Sequence, residues 1–164
     1  MATTSSPSSA DVIQLLSLEP HPEGGFYRET MRDESSTGPN GRGLSTTIYF
    51  LLDSHSVSHL HRMDAAESWH FYAGQPLNIV ELGDDGPKVT RLGPGLMQGE
   101  RPQHFVAANT WFGSRLAEGD GWALVGCTVA PAFLFDHFEL GQRPALLQQY
   151  PKCKQWIQAL TTEE

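Results

Sequence analysis

Residues 59–74 read HLHRMDAAESWHFYAG, a stretch that places three histidines and a glutamate within sixteen positions. Side chains in a β-strand alternate between two faces, so His59 and His61 are predicted to project to the same face. RMDAA is predicted to be a turn, after which Glu67 and Trp69 share one face of a second strand. A hairpin of these two strands would bring two imidazoles and one carboxylate together.

The first chemical interpretation of this set is a metal centre. Two histidines and one carboxylate with open coordination positions suit non-haem Fe(II) and related divalent ions. The ligands would then be His59, His61 and Glu67. His70 lies on the opposite face of its strand and is a poorer candidate.

The second interpretation is acid and base catalysis without a metal. A histidine beside a carboxylate is a competent general acid or base, and here His61 would pair with Glu67 or Asp64. Tyr49 or Tyr27 could return a proton from the other side of a substrate. A third interpretation gives the histidines no catalytic role and makes them hydrogen-bonded residues that line the interior.

The rest of the chain predicts an all-β domain with short helices at both ends. Val12, Leu15 and Leu16 lie on one side of a short helix that starts near Ser9, and residues 142–160 are predicted to be helical on both sides of Pro151. Turn residues separate the predicted strands, and GDDG at 83–86 indicates a hairpin. Those strands are 26–32, 45–52, 57–62, 67–73, 77–82, 88–92, 104–108, 110–116 and 122–130.

Composition limits the class of protein further. The length of 164 residues suits one domain, assigned to residues 10–164 after a disordered tail over residues 1–9. A net charge of −8 argues against polymeric nucleic acid as a partner. The first residues, MATTSSPSSA, do not show the basic region and apolar run of a signal peptide, and no segment approaches the length of a membrane span. Cys127 and Cys153 are not in a metal-binding spacing. We expect a soluble cytoplasmic protein that has free thiols and does not bind membranes.

The motif over residues 59–74 resembles the first motif of the cupin superfamily. His59, His61, Glu67 and Gly74 occupy the matching places, with five residues between His61 and Glu67. The second cupin motif would fall on AANTWF at 107–112, where Phe112 replaces its histidine ligand. We therefore expect no cofactor, although a divalent metal on the three remaining ligands stays an alternative.

Four blocks in order extend the resemblance to the cupin-like family of unknown function. These blocks are 21–30, 61–74, 101–112 and 125–140. The resemblance implies a jelly-roll β-barrel, usually a homodimer, with a ligand pocket inside the barrel. It also implies similarity to sugar-nucleotide epimerases and sugar isomerases, without implying a particular reaction.

Candidate ligand-binding residues follow from side-chain chemistry. Arg28 could contact a phosphate, or could form a buried salt bridge with Glu23 or Glu29. Trp69 or Phe26 could stack on a flat ring, although core packing is the usual role of such residues. The remaining candidates, which would bind polar groups of the ligand, are His59, Gln103 and Asn109.

These observations favour a small-molecule-binding protein with a pocket for a nucleotide, sugar-nucleotide or sugar-phosphate. Epimerase or isomerase chemistry would use His61, Glu67 and Tyr49. One alternative is a metal-dependent isomerase or dioxygenase on the His59, His61 and Glu67 set. Another is a dimeric binding module without catalytic activity.

Overall fold

The N-terminal helix begins close to where the sequence predicts it. The structure is a computed structural model that describes residues 6–163, so residues 1–5 of the predicted tail lie outside the described residues. Helix α1 spans Ser9–Leu16, and its N-cap is Ser8 rather than Ser9. The Ser8 hydroxyl accepts a hydrogen bond from the Asp11 amide, and the Asp11 carboxylate accepts one from the Ser8 amide. This reciprocal capping fixes the start of the helix inside the predicted tail.

Two antiparallel sheets form most of the protein, as the strand pattern predicts. Within residues 6–163 the strands are β1 (Glu19–Pro20), β2 (Phe26–Asp33), β3 (Ser45–Asp53), β4 (Ser58–Met63), β5 (Ala66–Gly74), β6 (Leu77–Glu81), β7 (Lys88–Leu92), β8 (Gln103–Val106), β9 (Phe112–Leu116), β10 (Trp122–Ala130) and β11 (Phe138–Leu140). The nine longer strands match the predicted segments to within a few residues. The sequence analysis missed β1 and β11, because two or three residues are too few to show a periodic pattern.

The chain passes back and forth between the two sheets. One sheet has the order β1-β2-β3-β10-β5-β8, and the other has the order β11-β4-β9-β6-β7. The predicted hairpin at GDDG is confirmed, since β6 pairs with β7 and the Gly86 amide donates to the Gly83 carbonyl. The predicted hairpin of β4 and β5 is wrong, because the turn between them carries the chain into the opposite sheet.

Large side chains from both sheets pack between them. Trp69 is fully buried there, and its ring meets Phe50 and Phe112 edge-on at centroid distances of 5.8 and 6.2 Å. Burying an aromatic or aliphatic side chain of this size contributes about 1.5–3 kcal/mol. The packing is solid at this end of the interior and open at the other.

Helices cover the outer faces of the two sheets. After β11, the chain forms α2 (Arg143–Gln149), one turn of 3-10 helix at Pro151–Cys153, and α3 (Lys154–Ala159). Leu146 and Ile157 from this segment pack on Leu60, which points outward from β4. Within residues 6–163 no helix is both long enough and apolar enough to cross a membrane.

Candidate functional site

A cavity of about 500 Å³ lies at the open end of the interior. Strands of both sheets and the turn before β2 contribute to its walls. Its inner end is polar, and its residues there are His21, Glu23, His61, Glu67 and Cys127. Its rim carries Glu19, Arg28, Glu29, Arg32, Leu134 and Phe135.

His61 and Glu23 lie against each other at the inner end of the cavity. The Nδ1 atom of His61 lies 2.7 Å from the carbonyl oxygen of His59, which can only accept, so Nδ1 carries a proton. Its Nε2 atom lies 3.2 Å from Oε2 of Glu23, and both side chains are almost fully buried. Nε2 is therefore the ring nitrogen of His61 that faces the Glu23 carboxylate.

Further hydrogen bonds hold the Glu23 carboxylate in this position. The buried Ser58 hydroxyl donates to Oε1 at 2.9 Å, which leaves Oε2 toward His61. The Glu23 side chain extends from a turn in which the Gly24 amide donates to the His21 carbonyl. The turn also closes through the His21 amide and the Gly25 carbonyl at 3.0 Å.

Gly24 is the residue of this turn least able to change. Its φ is +104°, and a Cβ atom there would lie 2.0 Å from the Val57 carbonyl oxygen. We expect Gly24→Ala to lower the free energy of unfolding by about 3 kcal/mol or more, because strain and a backbone clash add. Urea unfolding measures the loss.

Gly119→Ala is the matched control, because Gly119 also has a positive φ of +57° but nothing within 4 Å of its Cβ position. Strain alone should cost about 1–2 kcal/mol there. Equal losses in the two variants would contradict the clash at Gly24.

Glu67 lines the same cavity, and its side chain is a neutral carboxylic acid. Burial raises its pKa, the charge of Glu23 raises it further, and a hydrogen bond with the Cys127 thiol only partly offsets them, so the pKa reaches about 8. At pH 7 this side chain therefore carries a proton that it can donate. Burial also raises the pKa of the Cys127 thiol, which keeps that sulfur protonated and a poor nucleophile.

His21 supplies a second imidazole with a defined tautomer. Its Nδ1 atom accepts a hydrogen bond from the Glu23 amide at 3.1 Å, so the neutral ring carries its proton on Nε2. Burial lowers the pKa of His21, although Glu23 opposes this effect. The Tyr27 ring packs edge-on against it at a centroid distance of 4.5 Å. His21 is therefore a neutral hydrogen-bond donor at neutral pH.

The rim contains two arginines with different surroundings. Arg32 donates two hydrogen bonds to Glu29 at 2.9 Å and a third to the Phe133 carbonyl. Arg28 is exposed at the cavity mouth, and no carboxylate among residues 6–163 forms an ion pair with it. The predicted salt bridge of Arg28 with Glu23 or Glu29 is therefore wrong, because those carboxylates bond to other partners.

His59 does not share a face with His61, contrary to the strand alternation. The pairing of β4 with β9 shifts register between Ser58 and His61, which marks a β-bulge. Ser58 and His61 therefore both reach the Glu23 carboxylate, whereas the His59 ring borders a second cavity. The predicted convergence of His59, His61 and Glu67 is wrong for His59 and right for the other two.

Two further candidates lie on the outer face of the six-stranded sheet. Tyr49 and Phe26 pack with the hydrophobic cluster under α1, away from the cavity. The alternation that brings Thr46 and Ile48 into the cavity directs Tyr49 outward. Tyr27, named as an alternative to Tyr49, does line the cavity.

The remaining candidates also lie away from the cavity. Trp69 belongs to the packed core. Gln103 is exposed on β8. Asn109 is also exposed, and its backbone amide donates to the Met63 carbonyl. Asp64, considered as a partner for His61, instead accepts hydrogen bonds from Arg42 at 2.7 Å and His137 at 2.7 Å.

The sequence analysis missed Glu23 as the carboxylate partner of His61. It also gave no role to His21, Ser58 or Cys127. The signal available was EGG at 23–25, an acidic residue followed by two glycines between a helix and a strand. Such a pair of glycines indicates a tight turn that can present the preceding side chain.

The donor set does not fit the metal centre considered above. The His59 ring borders the second cavity, apart from His61 and Glu67. Phe112, whose ring packs against His61 at a centroid distance of 4.3 Å, supplies no ligand atom. In the part of the chain that the structure describes, no group of three or more His, Cys, Asp or Glu side chains is placed to hold a metal ion. We therefore derive the chemistry of the cavity from its side chains.

This arrangement belongs to a cupin. The family model described as Cupin superfamily (DUF985) matches residues 10–141, and the chain belongs to that family. The mostly β architecture of two antiparallel sheets and the cupin family expected from the sequence are thereby confirmed. No curated protein gives a significant match.

Solved structures give close and distant comparisons. A Shewanella oneidensis protein is 45% identical, with a TM-score of 0.90 over 97% of this chain and 100% of its own. A hypothetical protein from Leishmania major is 32% identical, with a TM-score of 0.88 over 96% of this chain and 100% of its own. Bacillus subtilis oxalate decarboxylase is 13% identical, with a TM-score of 0.55 over 88% of this chain and 37% of its own, which shows a shared fold only.

Proposed function

We propose that this protein binds a small carbonyl compound and moves a proton on it, as an isomerase or epimerase does. The observation that carries the proposal is the pair of Glu23 and His61, whose side chains lie 3.2 Å apart in the same cavity as the neutral acid Glu67. A histidine next to a carboxylate, beside a carboxylic acid that stays protonated at neutral pH, is typical of acid and base sites. Perturbed groups inside a cavity are also the usual mark of a functional site.

The proton transfer we propose is balanced by the residues of the cavity. The Glu23 and His61 pair takes a proton from the carbon next to the substrate carbonyl, and the C–H electrons form a C=C bond. Glu67 donates its proton to the carbonyl oxygen, which gives an enol. Return of the carbon proton from the other face gives an epimer, and return at the neighbouring carbon gives an isomer.

Tyr27 is our candidate to return a proton from the opposite side. It lines the cavity, and burial and the nearby carboxylates of Glu19 and Glu29 raise its pKa, so its hydroxyl stays protonated at neutral pH. It takes the role that the sequence analysis gave first to Tyr49. His21 can hold the substrate through its Nε2 proton.

The ligand we propose carries a phosphate at the cavity mouth, as in a sugar-phosphate, sugar-nucleotide or nucleotide. Arg28 supports this assignment, because its guanidinium lines the mouth without an ion-pair partner among the described residues. A volume of about 500 Å³ is within the range of pockets that bind small molecules. The aromatic residues on the wall around His21 suit the flat or apolar parts of such a ligand.

Two experiments test the proposed function directly. Thermal shift against a panel of nucleotides, sugar-nucleotides and sugar phosphates should find ligands that raise the melting temperature, since binding to the native state stabilises it. NMR in D₂O should then show deuterium entering a bound sugar phosphate at the carbon next to its carbonyl. Exchange that requires a stoichiometric metal in the purified protein would contradict a mechanism by side chains alone.

Arg28→Ala should weaken binding of a phosphorylated ligand by about 10-fold or more, because a charge-assisted contact contributes about 1.5–3 kcal/mol. Its effect on the matching unphosphorylated sugar or nucleoside should be small. Calorimetric titration measures both affinities. Arg62→Ala is the control, since Arg62 pairs with Glu139 outside the cavity, and equal losses for both ligands in Arg28→Ala would contradict a phosphate contact.

We also propose that the two sheets close as a jelly-roll barrel and that the protein acts as a homodimer. Hydrogen bonds support closure on one side. The Gly93 amide donates to the Arg101 carbonyl, and the Arg101 amide donates to the Arg91 carbonyl, so β7 is joined to the segment that enters β8. The dimer follows from the resemblance described above, and light scattering on the purified protein tests it.

A further inference from the structure

Three hydrogen bonds of His59 link Glu23 to His61. Its backbone amide donates to the Glu23 carbonyl at 2.7 Å, and its ring Nδ1 lies 2.6 Å from the same oxygen. A carbonyl can only accept, so Nδ1 of His59 carries a proton and donates it. The carbonyl of His59 in turn accepts from Nδ1 of His61 at 2.7 Å.

The turn that carries Glu23 depends on hydrogen bonds of this kind to keep its conformation. Gly24 and Gly25 follow Glu23 with positive φ, and glycines lose more conformational freedom on folding than other residues. Behind the turn lies the second cavity, of about 560 Å³, which both Pro22 and His59 border. The Val57 carbonyl and the His59 ring both contact the turn at Gly24, and Nδ1 of His59 lies 3.2 Å from the position of a Cβ there. Of these two groups, only the His59 ring donates a hydrogen bond to the Glu23 carbonyl.

We infer that His59 is a positioning residue, whose ring N–H holds the Glu23 turn so that the carboxylate stays within hydrogen-bond distance of His61. This inference rests on the proposed function for its catalytic meaning, because it assigns His59 a role through Glu23 and not a contact with substrate. The inference also gives the His59 imidazole a role outside the cavity, because its Nδ1 donates to the Glu23 carbonyl.

Two variants separate the hydrogen bond from the bulk of the ring. In His59→Asn the side-chain amide places an N–H close to the position of Nδ1 and removes the ring. In His59→Phe the ring remains and the donor is lost. Crystal structures of both variants give the distance from Glu23 Oε2 to His61 Nε2, which is 3.2 Å in the parent.

The expected result is that His59→Asn keeps that distance and His59→Phe loses it. NMR titration of Glu67 provides a solution measurement that needs no substrate. Because the charge of Glu23 contributes to the raised pKa of Glu67, that pKa should stay near about 8 in His59→Asn and fall in His59→Phe. In the deuterium exchange reaction, His59→Phe should be slower by about 100-fold, the cost of misplacing a catalytic group by about 1 Å.

Other outcomes overturn the inference. Retention of the 3.2 Å contact in His59→Phe but not in His59→Asn would assign the ring a packing role. Retention in both variants would show that the backbone bond of residue 59 suffices. If His59→Phe does not fold, His59→Gln replaces it, because its amide lies one bond too far to donate as Nδ1 does, and an unchanged contact there overturns the inference. Failure of the proposed function, by contrast, would appear as absence of exchange in the parent protein, with the distances in the variants unaffected.

Discussion

At pH 8, Glu67→Gln is expected to be more stable than the parent protein by about 4 kcal/mol, relative to the difference between the two proteins at pH 4. The pKa of Glu67 is about 8 in the folded chain, against 4.5 for an unperturbed side chain. Between these pH values the folded protein keeps a proton that the unfolded chain releases. The free energy of unfolding therefore falls by about 1.4 kcal/mol per pH unit as the pH rises through this window.

Glutamine removes this dependence because it has the same shape and cannot ionise. Below pH 4.5 both states of the parent bind the proton, so the contribution of Glu67 is fully present and the two proteins should differ little. Urea unfolding at pH 4, 6 and 8 measures the difference. A difference that is the same at all three pH values would mean that Glu67 is ionised in the folded protein.

Glu81→Gln is the control for this experiment and should show the opposite sign. Burial alone would raise the pKa of Glu81, but a hydrogen bond with His104 at 2.8 Å and the charge of Lys88 lower it below its usual value. A lowered pKa contributes stability above pH 4.5 that is lost as the pH falls. Glu81→Gln should therefore be less stable than the parent at pH 8, and the deficit should shrink at pH 4.

The position of Glu67 in the structure also shows which part of the fold the sequence predicts well. Strand alternation placed Glu67 on the same inward face as Trp69, and the structure has both inside. The nine longer strands were predictable because each combines β-branched or aromatic residues with clear turn signals at its ends. The distribution of strands between the two sheets is not encoded locally, so the β4 and β5 hairpin was predicted in error.

The site was less predictable than the fold because its geometry depends on contacts distant in sequence. A single bulge in β4 moves His59 out of the cavity and leaves His61 inside. No local residue pattern predicts this bulge. The partner carboxylate of His61 is Glu23, 38 positions earlier in the chain. Composition and periodicity identify His61 and Glu67 as candidates, but only the packing of the turn against β4 identifies Glu23.

Glu23→Gln is expected to lower the rate of proton exchange on a sugar phosphate substrate by about 100- to 10,000-fold, the usual contribution of general acid and base catalysis. Glutamine keeps the length of the side chain, and its amide oxygen can still accept from Ser58. It cannot take up a proton, so the pair with His61 loses its function as a base. Incorporation of solvent deuterium, followed by NMR, gives the rate in parent and variant.

Two further measurements show whether a loss in Glu23→Gln is chemical or structural. The neutral amide removes the charge that helps to raise the pKa of Glu67, so that pKa should fall below about 8 while the protein remains folded. Glu139→Gln is the matched control outside the cavity, where Glu139 bonds to Arg62 at an exposed ion pair. Its exchange rate should stay within about threefold of the parent, because an exposed ion pair contributes little to stability and this one does not line the cavity. Exchange in Glu23→Gln at the rate of Glu139→Gln would rule out Glu23 as part of the base, because a proton acceptor cannot be replaced by an amide without a change in rate.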